Sequence, residues 1–148
     1  MTFFQGIAKI LTMEDKIQVL ILTDGAVSTL NSAKIIASTI EGLFINKYSI
    51  VIQQADKFSA TELLPAKVFF IGLEAANPAS FNYIEDLFKH INFAGRRCGI
   101  FSPDKKSFDY LEKILSNTEV SLAEPFLTKD PIDEAEMKNW LKSILDGE

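Results

Sequence analysis

A short polar turn, TDGAVST at Thr23–Thr29, contains the residue types with the clearest potential for binding chemistry. Thr23, Ser28 and Thr29 carry hydroxyl groups, and the turn separates an apolar stretch from an amphipathic one. Hydroxyl groups and the free backbone N–H groups at the start of a helix together bind anions such as phosphate. The turn is therefore the first candidate for a binding site.

The stretches on either side of the turn predict where it lies in the fold. Residues Ile17–Leu22 are almost all apolar and partly β-branched, which predicts a strand buried on both faces of a parallel sheet. Apolar residues recur at helical spacing after the turn, which predicts a helix that folds back over the strand. They are Ala33, Ile36, Ala37, Ile40 and Phe44. We expect the turn at the carboxyl end of the strand, where open α/β sheets bind ligands.

The rest of the chain alternates between strand and helix patterns. Further strands are predicted at Tyr48–Ile52, Lys67–Gly72, Arg97–Phe101 and Val120–Ala123, and residues 53–64 are expected to be irregular. Helices are predicted to start at Asn77-Pro78, with Ser80 as the competing cap, and at Ser102-Pro103 and Asp130-Pro131, where a capping residue precedes proline. This alternation predicts an α/β fold with a parallel sheet and helices on both faces.

The predicted domain is preceded by an N-terminal extension. A chain of 148 residues has the usual length of one domain, which we place at residues 16–148. Residues 1–15 carry apolar side chains at helical spacing, typical of a short helix. Lys9 is the only cation of this segment, so we interpret it as a packing segment rather than a membrane anchor.

Composition narrows the classes of function. Cys98 is the only cysteine, which excludes an internal disulfide framework and favours a reducing cytoplasm. The net charge of −5 argues against general nucleic-acid binding and favours basic protein partners. Apolar runs are shorter than the roughly 20 residues that a membrane span needs. The sequence has no metal-ligand cluster, nucleophile elbow or glycine-rich nucleotide fingerprint, so we predict no catalytic or metal-binding residues.

Three strings resemble the flavodoxin family. GRRCGIFSPDKKSFDYLEKIL at 95–115 is similar to the fourth strand of that family, its flavin-contacting loop and the next helix. EPFLTKDPIDEAEMKNWLKSIL at 124–145 is similar to the closing strand, loop and helix, and AKIIA at 33–37 fits the helix that follows the phosphate loop. The resemblance runs from Lys16 onwards. It implies a flavodoxin-like three-layer sandwich with a five-stranded parallel sheet of order 2-1-3-4-5.

The resemblance also implies a function, that of an FMN-binding electron carrier or a binding domain rather than a catalyst, with a basic redox partner. The FMN phosphate would lie on Thr23–Thr29, and the flavin ring would lie between the loops Leu73–Ser80 and Ser102–Ser107. The implied cofactor-binding residues are Thr23, Asp24, Gly25, Ala26, Val27, Ser28, Thr29, Leu73, Glu74, Asn77, Ser102 and Asp104.

Departures from the family pattern support an alternative function. Only Thr29 matches the family's T/S-x-T-G-x-T phosphate loop clearly, Val27 stands where the family has glycine, and Asp24 adds a charge of the same sign as phosphate. The loop Leu73–Ser80 has no aromatic residue to contact a flavin ring. The alternative is a degenerate flavodoxin-like domain that binds no flavin and serves as a protein-interaction or regulatory module.

Overall fold

The computed structural model describes residues 16–59, 61, 63 and 65–146, so the expected N-terminal extension lies outside the described residues. The strands are β1 (Ile17–Thr23), β2 (Tyr48–Gln54), β3 (Ala66–Gly72), β4 (Arg97–Ser102), β5 (Ser121–Leu122) and β6 (Phe126–Leu127). The helices are α1 (Val27–Leu43), α2 (Asn82–Phe88), α3 (Lys106–Leu115) and α4 (Glu134–Leu145), and a 3-10 turn at Ala79–Phe81 precedes α2. None of the helices in the described ranges is long and apolar enough to cross a membrane.

The strands form one parallel sheet in the order β2-β1-β3-β4, with β5 and β6 both paired to β4. β1 is central, because it pairs with β2 along its length and with β3 up to Thr23, which lies beside Gly72. Its apolar, β-branched residues suit a strand covered on both faces. The predicted α/β fold and strand order 2-1-3-4-5 are confirmed. The carboxyl ends of β1, β3 and β4 consequently lie side by side, and the turn after β1 stands at that edge.

Helices cover both faces of this sheet, as the alternation predicts. α1 and α4 bury one apolar stripe each on the first face, through Ala33, Ile36, Ile40, Met137, Trp140, Leu141 and Ile144. α2 and α3 do the same on the second face, through Ile84, Phe88, Tyr110, Leu111 and Leu115. The connection between β2 and β3 adds Ala55, Phe58 and Leu63 to the second face. The first face, with α1 and α4, borders the candidate site.

The last part of the sheet differs from the prediction of one strand at Val120–Ala123. Two short strands, β5 and β6, take its place, and Pro125 lies between them. Proline has no N–H group to donate to a strand ladder, which explains the interruption. The chain then continues along β4, where the Thr128 N–H group donates to the Ser102 carbonyl at 2.9 Å. This contact brings the segment after β6 to the carboxyl edge of the sheet.

The three helices predicted from a cap followed by proline begin later than expected. Asn77 has a left-handed φ of +57°, which is not the extended conformation of an N-cap, and α2 starts only at Asn82. Ser102 is the last residue of β4, and its Oγ accepts the Asp104 N–H group at 3.1 Å. The helix that follows it, α3, starts only at Lys106. Asp133, not Asp130, caps α4, because its Oδ1 accepts the N–H groups of the second and third helical residues at 3.0 and 3.1 Å.

Candidate functional site

The turn between β1 and α1 leaves the start of α1 without a side-chain cap. Gly25 has a φ of +88°, a conformation that glycine adopts at little cost and that lets the chain reverse sharply. The N-cap residue Ala26 makes no side-chain hydrogen bond, and the first turn of α1 contains no acidic residue. Val27 is 75% exposed, so its side chain is not packed into the protein at this turn. The first N–H groups of α1 therefore offer partial positive charge to an anion.

Asp24 ties this turn to the loop that follows β3. Its Oδ1 accepts the Ala26 N–H group at 3.0 Å, and its Oδ2 accepts the Glu74 N–H group at 2.8 Å. The Asp24 carbonyl also accepts the Ser80 hydroxyl at 3.1 Å. We call this connection the Asp24 bridge. The Asp24 carboxylate thereby occupies one N–H donor of the predicted phosphate turn, that of Ala26, and one of the predicted ring-contacting loop, that of Glu74, and it adds negative charge there.

Thr29 lies in the first turn of α1 and carries a hydroxyl group without a protein partner. The residue is 3% exposed, and its Oγ1 is one of two buried side-chain oxygens in the described residues that lack a hydrogen-bond partner. The other is Ser107 Oγ on α3. A buried hydroxyl group without a partner costs about 1–3 kcal/mol, so such groups usually have a role or an additional partner. Thr29 can supply that missing bond to a ligand at the start of α1.

A groove of about 610 Å³, which we call the α1/α4 groove, opens beside Thr29 on the first face of the sheet. One wall is a face of α1, and the opposite wall is the segment 128–134 that leads into α4. Leu73, Phe101 and Met137 also line the groove but are almost fully buried, whereas Lys129, Asp130 and Glu134 contribute charge. This volume falls within the roughly 300–1,000 Å³ of small-molecule sites.

The structure brings together only part of the predicted site. Ser28, Thr29 and Leu73 line the α1/α4 groove, and the other residues of the predicted phosphate turn, Thr23, Asp24, Gly25, Ala26 and Val27, lie next to it without lining it. The predicted ring-contacting residues Glu74, Asn77, Ser102 and Asp104 do not line the groove either. Asp104 serves the start of α3 instead, because its Oδ1 accepts the Lys106 N–H group at 3.0 Å.

Sequence reasoning missed most of the wall that α1 contributes. Ser28, Ser32, Ile35 and Thr39 follow one another at steps of three or four residues, and all four line the groove. That spacing places them on one face of the helix next to the apolar stripe. A row of small polar residues beside an apolar stripe was the signal available in the sequence. Lys129 had no comparable local signal, because its position depends on how β6 pairs with β4.

The carboxyl edge of the sheet suits the phosphate group of FMN at the start of α1. It is less suited to the flavin ring between the loops after β3 and β4, where the family resemblance would place that ring. The uncapped start of α1 and the unpartnered Thr29 hydroxyl suit an anion. The loops after β3 and β4 contain no aromatic residue, and the Asp24 bridge joins the first of them to the β1 turn. Phe101 does not replace such a residue, because it is 1% exposed and packs against Gly72.

Cysteine and metal chemistry find no support at this edge. No group of three or more His, Cys, Asp or Glu side chains that suits a metal ion occurs among the residues described. Burial raises the pKa of the Cys98 thiol, which has no exposed surface near the start of β4. A thiol held protonated in this way is a poor nucleophile.

Cys98 should therefore remain unmodified when the native protein is treated with a thiol-reactive chromogenic disulfide at mildly alkaline pH. The same reagent should titrate one thiol per chain after unfolding in guanidinium, because the sequence contains one cysteine. Rapid stoichiometric labelling of the native protein would contradict the burial of this residue.

A parallel sheet of this order, with two helices on each face and a binding edge at the ends of β1, β3 and β4, defines a flavodoxin-like fold. The flavodoxin of Streptococcus pneumoniae TIGR4 superposes with a TM-score of 0.70 at 12% identity, covering 86% of this chain and 97% of that chain. Flavodoxin 2 from Bacillus cereus gives a TM-score of 0.70 at 17% identity, over 86% of this chain and 97% of that chain.

A flavodoxin from Fusobacterium nucleatum bound to flavin mononucleotide gives a TM-score of 0.63 at 12% identity, over 86% of this chain and 96% of that chain. No protein-family model and no curated protein matches the sequence. At these identities the solved structures show a shared fold, and the chemistry has to be argued from the residues of this chain.

Proposed function

We propose that this chain binds FMN, with the phosphate group at the start of α1, and acts as a small electron-transfer protein. The observation that carries the proposal is the Thr29 hydroxyl, which is buried, lacks a partner and lines the α1/α4 groove beside an uncapped helix terminus. Helix N-termini with adjacent hydroxyl groups bind phosphate through their N–H groups. Flavin mononucleotide is the ligand that a structural neighbour of this fold carries.

In this function the residues of the chain would bind and orient the FMN. The N–H groups of Ser28 and Thr29 and the Thr29 hydroxyl would hold the phosphate, and Lys129 on the opposite wall of the groove would add positive charge. Reversible electron transfer is the chemistry that a bound flavin supplies. With a net charge of −5, the protein would exchange electrons most readily with a basic partner protein.

A second candidate function is a flavin-free interaction or regulatory module. Two observations favour it: the Asp24 bridge occupies N–H donors near the phosphate position, and the loops after β3 and β4 lack aromatic residues. A carboxylate that already satisfies these donors reduces the gain from binding an anion. The two functions differ in one measurable property, which is whether FMN binds to the folded chain.

Replacing Thr29 with valine should weaken FMN binding roughly tenfold, because a hydroxyl bond to a charged group is lost while side-chain volume is kept. Isothermal titration calorimetry with FMN measures this change. Thr61→Val is the matched control, since Thr61 is exposed in the connection between β2 and β3 and does not line the groove.

Riboflavin, which lacks the phosphate, should bind the wild type and Thr29→Val equally. Equal FMN affinities for Thr29→Val and wild type would contradict the proposed phosphate position. Absence of FMN binding to any variant would favour the flavin-free module.

A further inference from the structure

We propose that the body of the ligand lies in the α1/α4 groove, on the face of the sheet covered by α1 and α4, and not between the loops after β3 and β4. This inference rests on the proposed function, because it concerns the ligand whose phosphate group is bound at the start of α1. The ligand class is a phosphate monoester with an uncharged body that combines apolar and hydroxyl surfaces. The inference moves the greater part of the site to residues of α1 and of the segment before α4.

The Asp24 bridge obstructs the alternative location, which is the space between the loops after β3 and β4. It joins the turn after β1 to the loop after β3, and β1 and β3 are adjacent strands in the sheet. A ligand that extends from the start of α1 towards the end of β4 would have to cross this connection. The Ser80 hydroxyl strengthens the same closure through its bond to the Asp24 carbonyl at 3.1 Å. In this conformation the turn and the loop are therefore tied to each other beside the end of β3, which disfavours a ligand placed between them.

The α1/α4 groove offers the surfaces that such a body needs. Small side chains on α1, among them Ser32 and Ser38, leave open the space that larger residues would fill between two helices. Ile35 and the partly exposed Ile132 add apolar surface. The hydroxyl groups of Ser32 and Ser38 donate to carbonyls of α1, at 3.2 and 3.1 Å, and keep lone pairs for hydroxyl groups of a ligand.

Charge in the groove also favours a ligand with a single anionic end. Lys129 lies on the wall opposite α1, whereas Asp130 and Glu134 follow it towards the start of α4. An uncharged body avoids repulsion by these two carboxylates, and a phosphate group placed at Thr29 lies where the start of α1 supplies positive potential. The unpartnered Thr29 hydroxyl links the two regions, because it belongs to the first turn of α1 and lines the groove.

Filling either region with leucine distinguishes the two locations. Ser32→Leu and Ser38→Leu place bulk in the groove, and Ala75→Leu places it at an exposed position of the loop after β3, where Ala75 does not line the groove. Lys34→Leu is the control, since Lys34 is exposed on α1 outside the groove. FMN is titrated into each variant by calorimetry, and thermal unfolding verifies that each variant folds. Ser38 is exposed, so its variant remains informative if the more buried Ser32 variant is unstable.

We expect Ser32→Leu and Ser38→Leu to weaken FMN binding at least tenfold, whereas Ala75→Leu and Lys34→Leu change it less than about twofold. The reverse pattern, in which Ala75→Leu weakens binding and the groove variants do not, would overturn the inference and leave the proposed function standing. Failure of the wild type to bind FMN would overturn both. Equal affinity for all four variants would overturn the inference alone.

Discussion

Replacing Asp24 with alanine should tighten FMN binding roughly tenfold and at the same time make the protein less stable. The affinity gain is expected because two like charges about 4 Å apart repel by about 1 kcal/mol in water and more near a protein surface, and 1.4 kcal/mol is a factor of ten. The loss of stability is expected because the Ala26 and Glu74 N–H groups lose a charged acceptor, which costs about 1–3 kcal/mol. Calorimetry and urea unfolding measure the two effects.

Glu74→Gln is the matched control for this prediction. It removes one negative charge from the same edge of the sheet but keeps the Glu74 backbone N–H group that donates to Asp24. Glu74 is exposed, so we expect little change in either affinity or stability. A variant Asp24→Ala that binds FMN more weakly than the wild type would show that the carboxylate supports the ligand rather than competing with it.

The largest effect on stability should follow replacement of Gly72 by alanine. A Cβ atom built on Gly72 would lie 2.2 Å from the Phe101 ring, at the end of β3 where the strand pairs with both β1 and β4. Overpacking in a well-packed core costs typically about 1–3 kcal/mol, and we expect this variant at the upper end because the Phe101 ring is almost fully buried. Urea unfolding measures the change.

Gly42→Ala is the control for the Gly72 variant. Apart from its chain neighbours and the nearby backbone of α1, nothing lies within 4 Å of a Cβ added at Gly42, so alanine should stabilise the helix by about 0.5–1 kcal/mol. A variant Gly72→Ala as stable as the wild type would mean that the packing of Phe101 at the carboxyl edge is looser than described.

The fold could be predicted from the sequence because the buried residues of each helix and strand recur along the chain with the spacing typical of that element. Ala33, Ile36 and Ile40 recur at helical spacing and are fully buried on α1, and the continuous apolar run of β1 is buried on both faces. Such patterns depend only on neighbours along the chain. The weaker predictions were those of helix starts, where several capping residues stand within a few positions of one another and tertiary contacts decide among them.

The candidate site could be located from the sequence but not described in detail. Asp24 is bound to the amide of Glu74, which lies 50 positions away, and no local pattern indicates that pairing. The α1/α4 groove depends on small residues facing a segment about 100 positions later, which the pairing of β6 with β4 brings to the carboxyl edge. Thr29 could be predicted as a candidate binding residue, because hydroxyl groups at the start of a helix commonly help to bind anions.

The most direct test of the account is an NMR titration of the uniformly ¹⁵N-labelled wild-type protein with FMN, observed through backbone amide resonances. We expect saturable shifts for the amides of Ser28, Thr29 and Lys129, with one FMN bound per chain, whereas amides at the opposite end of the sheet stay in place. Inorganic phosphate should move the Ser28 and Thr29 amides in the same direction but more weakly. The absence of saturable shifts at these amides with millimolar FMN would contradict the claim that the start of α1 is an anion site.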